Sequence, residues 1–457
     1  MTTRLSIAIY LSIVVLGVAN ALMVVPHVAP IIAALIALFL ILEVKNAPVP
    51  QAIVGLGLIA AGIISVYASG TDLYLIVDGF ARGKTFLMVF FAVIWIRIPA
   101  SVSPSIRATR RMIVNQPPGR RYLYLAVGVH FLGSVLNLAG LSLLSTMVER
   151  QKDPILRRRM VGALMIGFVS ASAWSPFYVA MVVVLLAIPT LQWTDVAGWG
   201  VFLGAGAIFM GWLYDRVAWR KLTGASPPIV PAPLSMSNRL TVIAILGALV
   251  FLVIGTIEFA HLSLPVALSI IAPPYAVLWF ATNSENGPTV WRRIKKIVSE
   301  VLDGVPGLRN EALIFVGATV FGVGVSTLIP ATDLTQWLDT YIPYVDLRIA
   351  LLLYGMLAIA GLGLHAVIVI ILVGEVLPPE VMGVPDWVLG ISLLGIWGLS
   401  TLINPYSGTS LYISRVTNIS PFQIAWRWNP PMAFLLTSYT IATIILIRHL
   451  AFFLLRH

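Results

Sequence analysis

The sequence predicts an all-α polytopic membrane protein, with about 11 transmembrane helices and two re-entrant hairpins forming an inverted repeat. Three observations lead there. The 457 residues are 59% hydrophobic and only 10% charged, with a mean hydropathy of +0.97, and they form about a dozen of the long apolar runs that lipid demands. Arginine and lysine gather beside particular runs and avoid others. Turn residues and prolines interrupt four runs at their centres.

The runs fall near 5–25, 29–44, 50–69, 85–99, 122–146, 161–188, 197–213, 238–257, 262–281, 312–330, 347–375, 387–414 and 431–450. The first follows Arg4 and lacks a small-residue cleavage site, so it is expected to be a helix rather than a signal peptide. Cysteine is absent, which excludes disulfides and thiolate metal sites. The net charge of +11 fits cytoplasmic loops better than nucleic acid.

Run 122–146 carries strong basic signals at both ends: Arg107, Arg110, Arg111, Arg120 and Arg121 before it, then Arg150, Lys152, Arg157, Arg158 and Arg159. A segment that starts and finishes on one side must reverse, and "GSVLNLAG" (Gly133 to Gly140) holds the turn residues for it. Run 347–375 is flanked instead by Asp333, Asp339, Asp346, Glu375, Glu380 and Asp386, with "AGLGLHAV" at its centre. It is expected to be a second hairpin, opening outward. Threading the other runs as single spans gives eleven crossings, with the N-terminus cytoplasmic and the basic loops 214–239 and 283–310 inside. Arg82, Lys84, Arg448 and Arg456 are exceptions to this scheme.

An internal repeat appears at an offset of about 228 residues. "FLGSVLNLAGLSLL" lies over "IAGLGLHAVIVIIL", placing Asn137 opposite His365. "WSPFYVAM" lies over "INPYSGTS", pairing Ser175-Pro176-Phe177 with Asn404-Pro405-Tyr406. Each half thus reads as span, hairpin, broken span, in opposite orientations. The expected organisation is scaffold helices and an inner arm over 1–118, a first mobile half over 119–222 (hairpin 122–146, broken helix 161–188), scaffold helices and an outer arm over 223–345, and a second mobile half over 346–457 (hairpin 347–375, broken helix 387–414). Amphipathic segments at 103–114, 291–302 and 333–345 suit the membrane interface.

Proline in a helix interior costs about 3 kcal/mol. Non-helical backbone at membrane depth survives only where it is buried or faces water. Paired interruptions in inverted repeats mark substrate sites in secondary transporters. The candidate substrate-binding residues at the four interruptions are Ser134, Asn137, Ser172, Ser175, His365, Asn404, Ser407, Thr409 and Ser410. Helix N-termini beside neutral hydroxyls and amides suit a small organic anion, most simply a carboxylate. The competing role for each Ser or Thr is packing, its hydroxyl bonded to its own backbone; His365 equally suits a turn-stabilising bond, and His130 a structural one. No carboxylate sits at mid-span, so proton coupling would rest on His365 and sodium coupling on carbonyls.

This layout resembles the ion transporter superfamily, especially divalent anion/sodium symporters, and is similar to the large membrane subunit of tripartite (TRAP) carriers and to AbgT-type transporters. The resemblance covers nearly the whole chain. It implies an elevator mechanism, a homodimer and residence in a bacterial inner membrane. The tips depart from the family's Ser-Asn-Thr motif: they read "SVLN" and "GLGLH", leaving Ser134 and Asn137 as the comparable groups. No cofactor is expected, with Na+ or H+ as candidate coupling ions. The alternatives are the membrane subunit of a TRAP-like carrier and a membrane-embedded transferase. The latter lacks paired carboxylates or metal-ligand spacing in this chain.

Overall fold

The computed structural model describes residues 2–23, 27–114, 116, 118–149, 151–219, 236–282 and 289–454. In chain order the helices are α1 (Thr2–Leu22), α2 (Val28–Glu43), α3 (Val49–Ser69), α4 (Tyr74–Arg82), α5 (Lys84–Val102), α6 (Pro104–Val114), α7 (Pro118–Leu136) and α8 (Leu138–Glu149). There follow α9 (Pro154–Ser170), α10 (Val179–Ala187), α11 (Trp193–Trp219), α12 (Met236–Ala260), α13 (Leu264–Thr282), α14 (Val290–Gly304), α15 (Arg309–Ser326) and α16 (Ala331–Tyr341). The last are α17 (Val345–Gly361), α18 (Ala366–Val376), α19 (Pro379–Met382), α20 (Asp386–Ile403), α21 (Gly408–Thr417) and α22 (Pro430–Leu454). No strand occurs among the described residues.

Ten helical stretches among them are long and apolar enough to cross a membrane, or up to 11 if α16 and α17, bent by 109°, count as one. The protein is an all-α, multi-pass integral membrane protein. Its outward faces agree: Phe251 and Phe259 on α12 are 73% and 88% exposed, which water would penalise and lipid does not. The parts of the basic loops at 220–235 and 283–288, together with Arg150 and Arg456, lie outside the described residues.

The chain forms two contact-defined units. One comprises residues 1–106, 240–334 and 371–378. Its tightest seam joins α3 to α15, where glycines let the backbones touch. A Cβ on Gly317 would lie 2.8 Å from the Gly55 carbonyl oxygen, and one on Gly324 would lie 2.6 Å from Gly62 Cα. Without a water-driven hydrophobic effect, such close approach is how membrane helices gain packing energy. The run expected at 85–99 is the single helix α5, and a short helix, α4, precedes it and meets it at Gly83, where a side chain would strike Val316 (2.7 Å). Arg82, one of the charge exceptions, is neutralised by Asp78 (2.7 Å) and Glu375 (2.5 Å).

The other unit comprises 107–239, 335–370 and 379–457. In it α7 and α8 fold back on each other about Asn137, whose φ of 54° is the left-handed value that asparagine tolerates. Gly140 lies against the α7 backbone at Gly133 (2.6 Å from a Cβ to its nitrogen). Helix α9 starts before the apolar run does, because Asp153 caps it, accepting from the Ile155 and Leu156 amides, with Pro154 in the first turn. Arg448, a second charge exception, pairs with Asp346 at 2.6 Å. Buried Arg348 pairs with Asp339 at 2.6 Å.

Candidate functional site

Helix α9 tightens into a 3-10 turn at Ala171–Ala173 and stops, and α10 begins only at Val179. Pro176 between them has no N–H to continue the ladder. The interruption is held by side chains. Ser175 Oγ donates to the Ser134 carbonyl in the α7–α8 hairpin and accepts from the Phe177 amide (3.2 Å). Ser134 and Ser172 donate to the Phe131 and Val169 carbonyls of their own helices, at 2.9 and 2.7 Å. Trp174 Nε1 donates to His130 Nε2 (3.0 Å), so His130 is neutral with its proton on Nδ1, which contacts Ser170 Oγ at 2.8 Å. His130 thereby clamps α7 to the broken span, the structural role expected of it.

The second interruption repeats this logic. Helix α20 ends at Ile403, and α21 starts at Gly408. Asn404 Nδ2 donates to the Leu364 carbonyl in the α17–α18 turn (2.8 Å), and its Oδ1 accepts from the Tyr406 amide (2.8 Å). In both halves, then, the polar residue before proline bonds a hairpin carbonyl and the amide two residues on. Ser407 caps α21, accepting from the Ser410 amide (3.1 Å) and donating to the Thr401 carbonyl (2.9 Å). Ser410 Oγ donates to the same carbonyl at 3.4 Å. His365 caps α18 by accepting the Val367 amide at Nδ1 (3.3 Å), its ring edge-on to Trp397. Gly363, at φ 102°, leaves room for the Tyr406 ring, 2.8 Å from where a Cβ would stand.

All nine candidate residues belong to one contact unit. Two approaches connect their elements. At Gly398 α20 lies against the α9 end, where a Cβ would be 2.6 Å from Ser172 Oγ. At the hairpin tip, a Cβ on Gly408 would lie 3.6 Å from Leu138 Cδ1, and Ser145 Oγ contacts Tyr412 OH at 2.8 Å.

Six of the nine, Ser134, Ser172, Ser175, Asn404, Ser407 and Ser410, donate their side-chain protons to backbone carbonyls. Donors for a ligand therefore come from elsewhere. The Asn137 carboxamide and the hydroxyl of Thr409 (3% exposed) hydrogen-bond no described residue. The amides of Gly408 and Thr409, in the first turn of α21, have no intrahelical acceptor. This set offers neutral donors at a positive helix end, which attract oxygen anions. Sequence reasoning missed one supporting element, the π-helix at Gln423–Trp428, whose Trp426 Nε1 donates to the Gly361 carbonyl (3.1 Å). Only the following Asn429-Pro430-Pro431 hinted at an irregular start to α22.

No protein-family profile matches the chain, and no curated protein matches it. Among solved structures, the crystal structure of the Alcanivorax borkumensis YdaH transporter, reported to have an unusual topology, is similar. The match has a TM-score of 0.54 at 14% identity and covers 81% of this chain and 87% of that chain. At that identity the likeness is one of fold.

Proposed function

We propose that the protein is a secondary active transporter that moves a small organic anion, a carboxylate in the simplest case, across the membrane. The observation that carries this reading is the gathering of both helix breaks and both hairpin turns in one contact unit, with unused donors at Asn137, Thr409 and the start of α21. Interrupted helices of this kind are the usual substrate sites of secondary transporters. The fold likeness to a transporter supports the same class. In the elevator form of the proposal, the unit holding the breaks carries the anion, and the other unit is the scaffold of a homodimer. Alternation of the site between faces follows from moving that unit as one body.

A thermal-stability screen tests binding. Organic and inorganic anions are added to purified protein with and without sodium, because a ligand that binds only the folded state raises its unfolding midpoint by mass action. The proposal expects a carboxylate that stabilises the wild type and not Thr409→Val. A panel without effect, or one that stabilises both proteins equally, contradicts it.

A further inference from the structure

A second constellation lies away from the helix breaks. Between the start of α9, the end of α11, the last turn of α20 and the start of α22 is a cavity of about 50 Å³. Water needs roughly 10–15 Å³ of such space, so the cavity has room for about three to five water-sized groups, the size of a phosphate. Two arginines reach it with different partners. Arg159 is paired with Asp215, Nε to Oδ1 at 2.8 Å and Nη2 to Oδ2 at 2.7 Å, so its charge is neutralised in a bidentate pair.

Arg158 is not so engaged. Its guanidinium carbon stands 4.9 Å from the Trp219 ring centre and 5.6 Å from that of Trp428. Its N–H groups donate to no described residue. The stretch 220–235, next in sequence to Trp219, contains no Asp or Glu. Contact with two indoles fixes a guanidinium in place while leaving its in-plane donors open, and that planar fork matches an oxyanion. The remaining walls combine apolar Met165, Ile166, Leu402 and Met432, which suit the apolar neighbour of a charged group, with the polar Tyr122, Tyr214 and Asn429.

We infer that this cavity binds a phosphate-sized oxyanion, held by the Arg158 fork between Trp219 and Trp428. The anion is either the phosphate of an anionic lipid headgroup or free phosphate. The paired indoles favour the lipid-borne source, because tryptophan concentrates at headgroup depth. So does the basic cluster around Arg158, as anionic lipids attract such segments on the cytoplasmic side. Asn429 Nδ2 donates to the Leu402 carbonyl (2.8 Å), which ties the cavity wall to the turn of α20 two residues before Asn404. The inference stands independently of the transport reading.

The test compares full-length wild type and Arg158→Gln in nanodiscs of phosphatidylcholine alone, of phosphatidylcholine with phosphatidylglycerol, and of phosphatidylcholine plus inorganic phosphate at constant ionic strength. Unfolding midpoints are read in each. A wild-type rise of roughly 2–4 °C with phosphatidylglycerol that is lost in Arg158→Gln assigns a lipid headgroup. The same pattern with inorganic phosphate alone assigns a free oxyanion. Arg158→Lys keeps the charge without the fork and retains only part of the shift, and it serves if Arg158→Gln does not fold. No wild-type shift in either arm, or an equal shift in the variants, overturns the inference.

Discussion

Asn137 holds the hairpin turn, and the proposal gives it a second role toward the ligand. Its left-handed backbone is a requirement of the hairpin, and its carboxamide, which hydrogen-bonds no described residue, is the group the proposal assigns to the ligand. Two substitutions separate these roles. Asn137→Gly keeps the conformation, since glycine adopts positive φ freely, and is expected to leave the unfolding midpoint nearly unchanged while weakening anion binding about tenfold. Asn137→Ala retains neither, and costs about 1–2 kcal/mol of stability as well. Asn404 is the opposite case. Both ends of its side chain are committed, to the Leu364 carbonyl and the Tyr406 amide. Asn404→Ala leaves two groups unpaired and costs roughly 1–3 kcal/mol for each that stays buried, read from denaturation of purified protein. A loss of transport in that variant therefore reports a collapsed break rather than a lost ligand contact.

At the scale of elements, close contacts decide where substitutions matter. Gly398→Ala drives a methyl into Ser172 and the Val169 carbonyl, so α20 and α9 must separate, at about 1–3 kcal/mol. Gly324→Ala meets the Gly62 backbone and is expected to cost as much, whereas Gly57→Ala points into open space and stabilises α3 by about 0.5–1 kcal/mol. Comparative thermal unfolding of the three checks this ordering. The same contacts explain what the sequence revealed. The breaks at Ser175-Pro176 and Asn404-Pro405 were legible because proline's missing donor is a local property, and so were the turns at Asn137 and Gly363. The short helix α4 ahead of run 85–99 was not, since the junction at Gly83 has its meaning only against Val316. Nor was the use of the hydroxyls. Ser134, Ser172 and Ser410 read equally well as ligand groups or as donors to a carbonyl three to nine residues back, and only coordinates distinguish these.

For the whole molecule, the likeness to the YdaH transporter at 14% identity is one of architecture and not of side chains. Chemistry must then be argued from this chain's own groups. The central claim is that the site at the hairpin tip and the start of α21 faces each side of the membrane in turn. The chain has no cysteine, so an introduced thiol reports alone. The most direct measurement is the reaction of Leu138→Cys, at the exposed hairpin tip beside Gly408, with a membrane-impermeant maleimide in sealed vesicles of each orientation. The account predicts labelling from both faces, at rates that a bound anion changes. Labelling confined to one face, at a rate no anion alters, would contradict it.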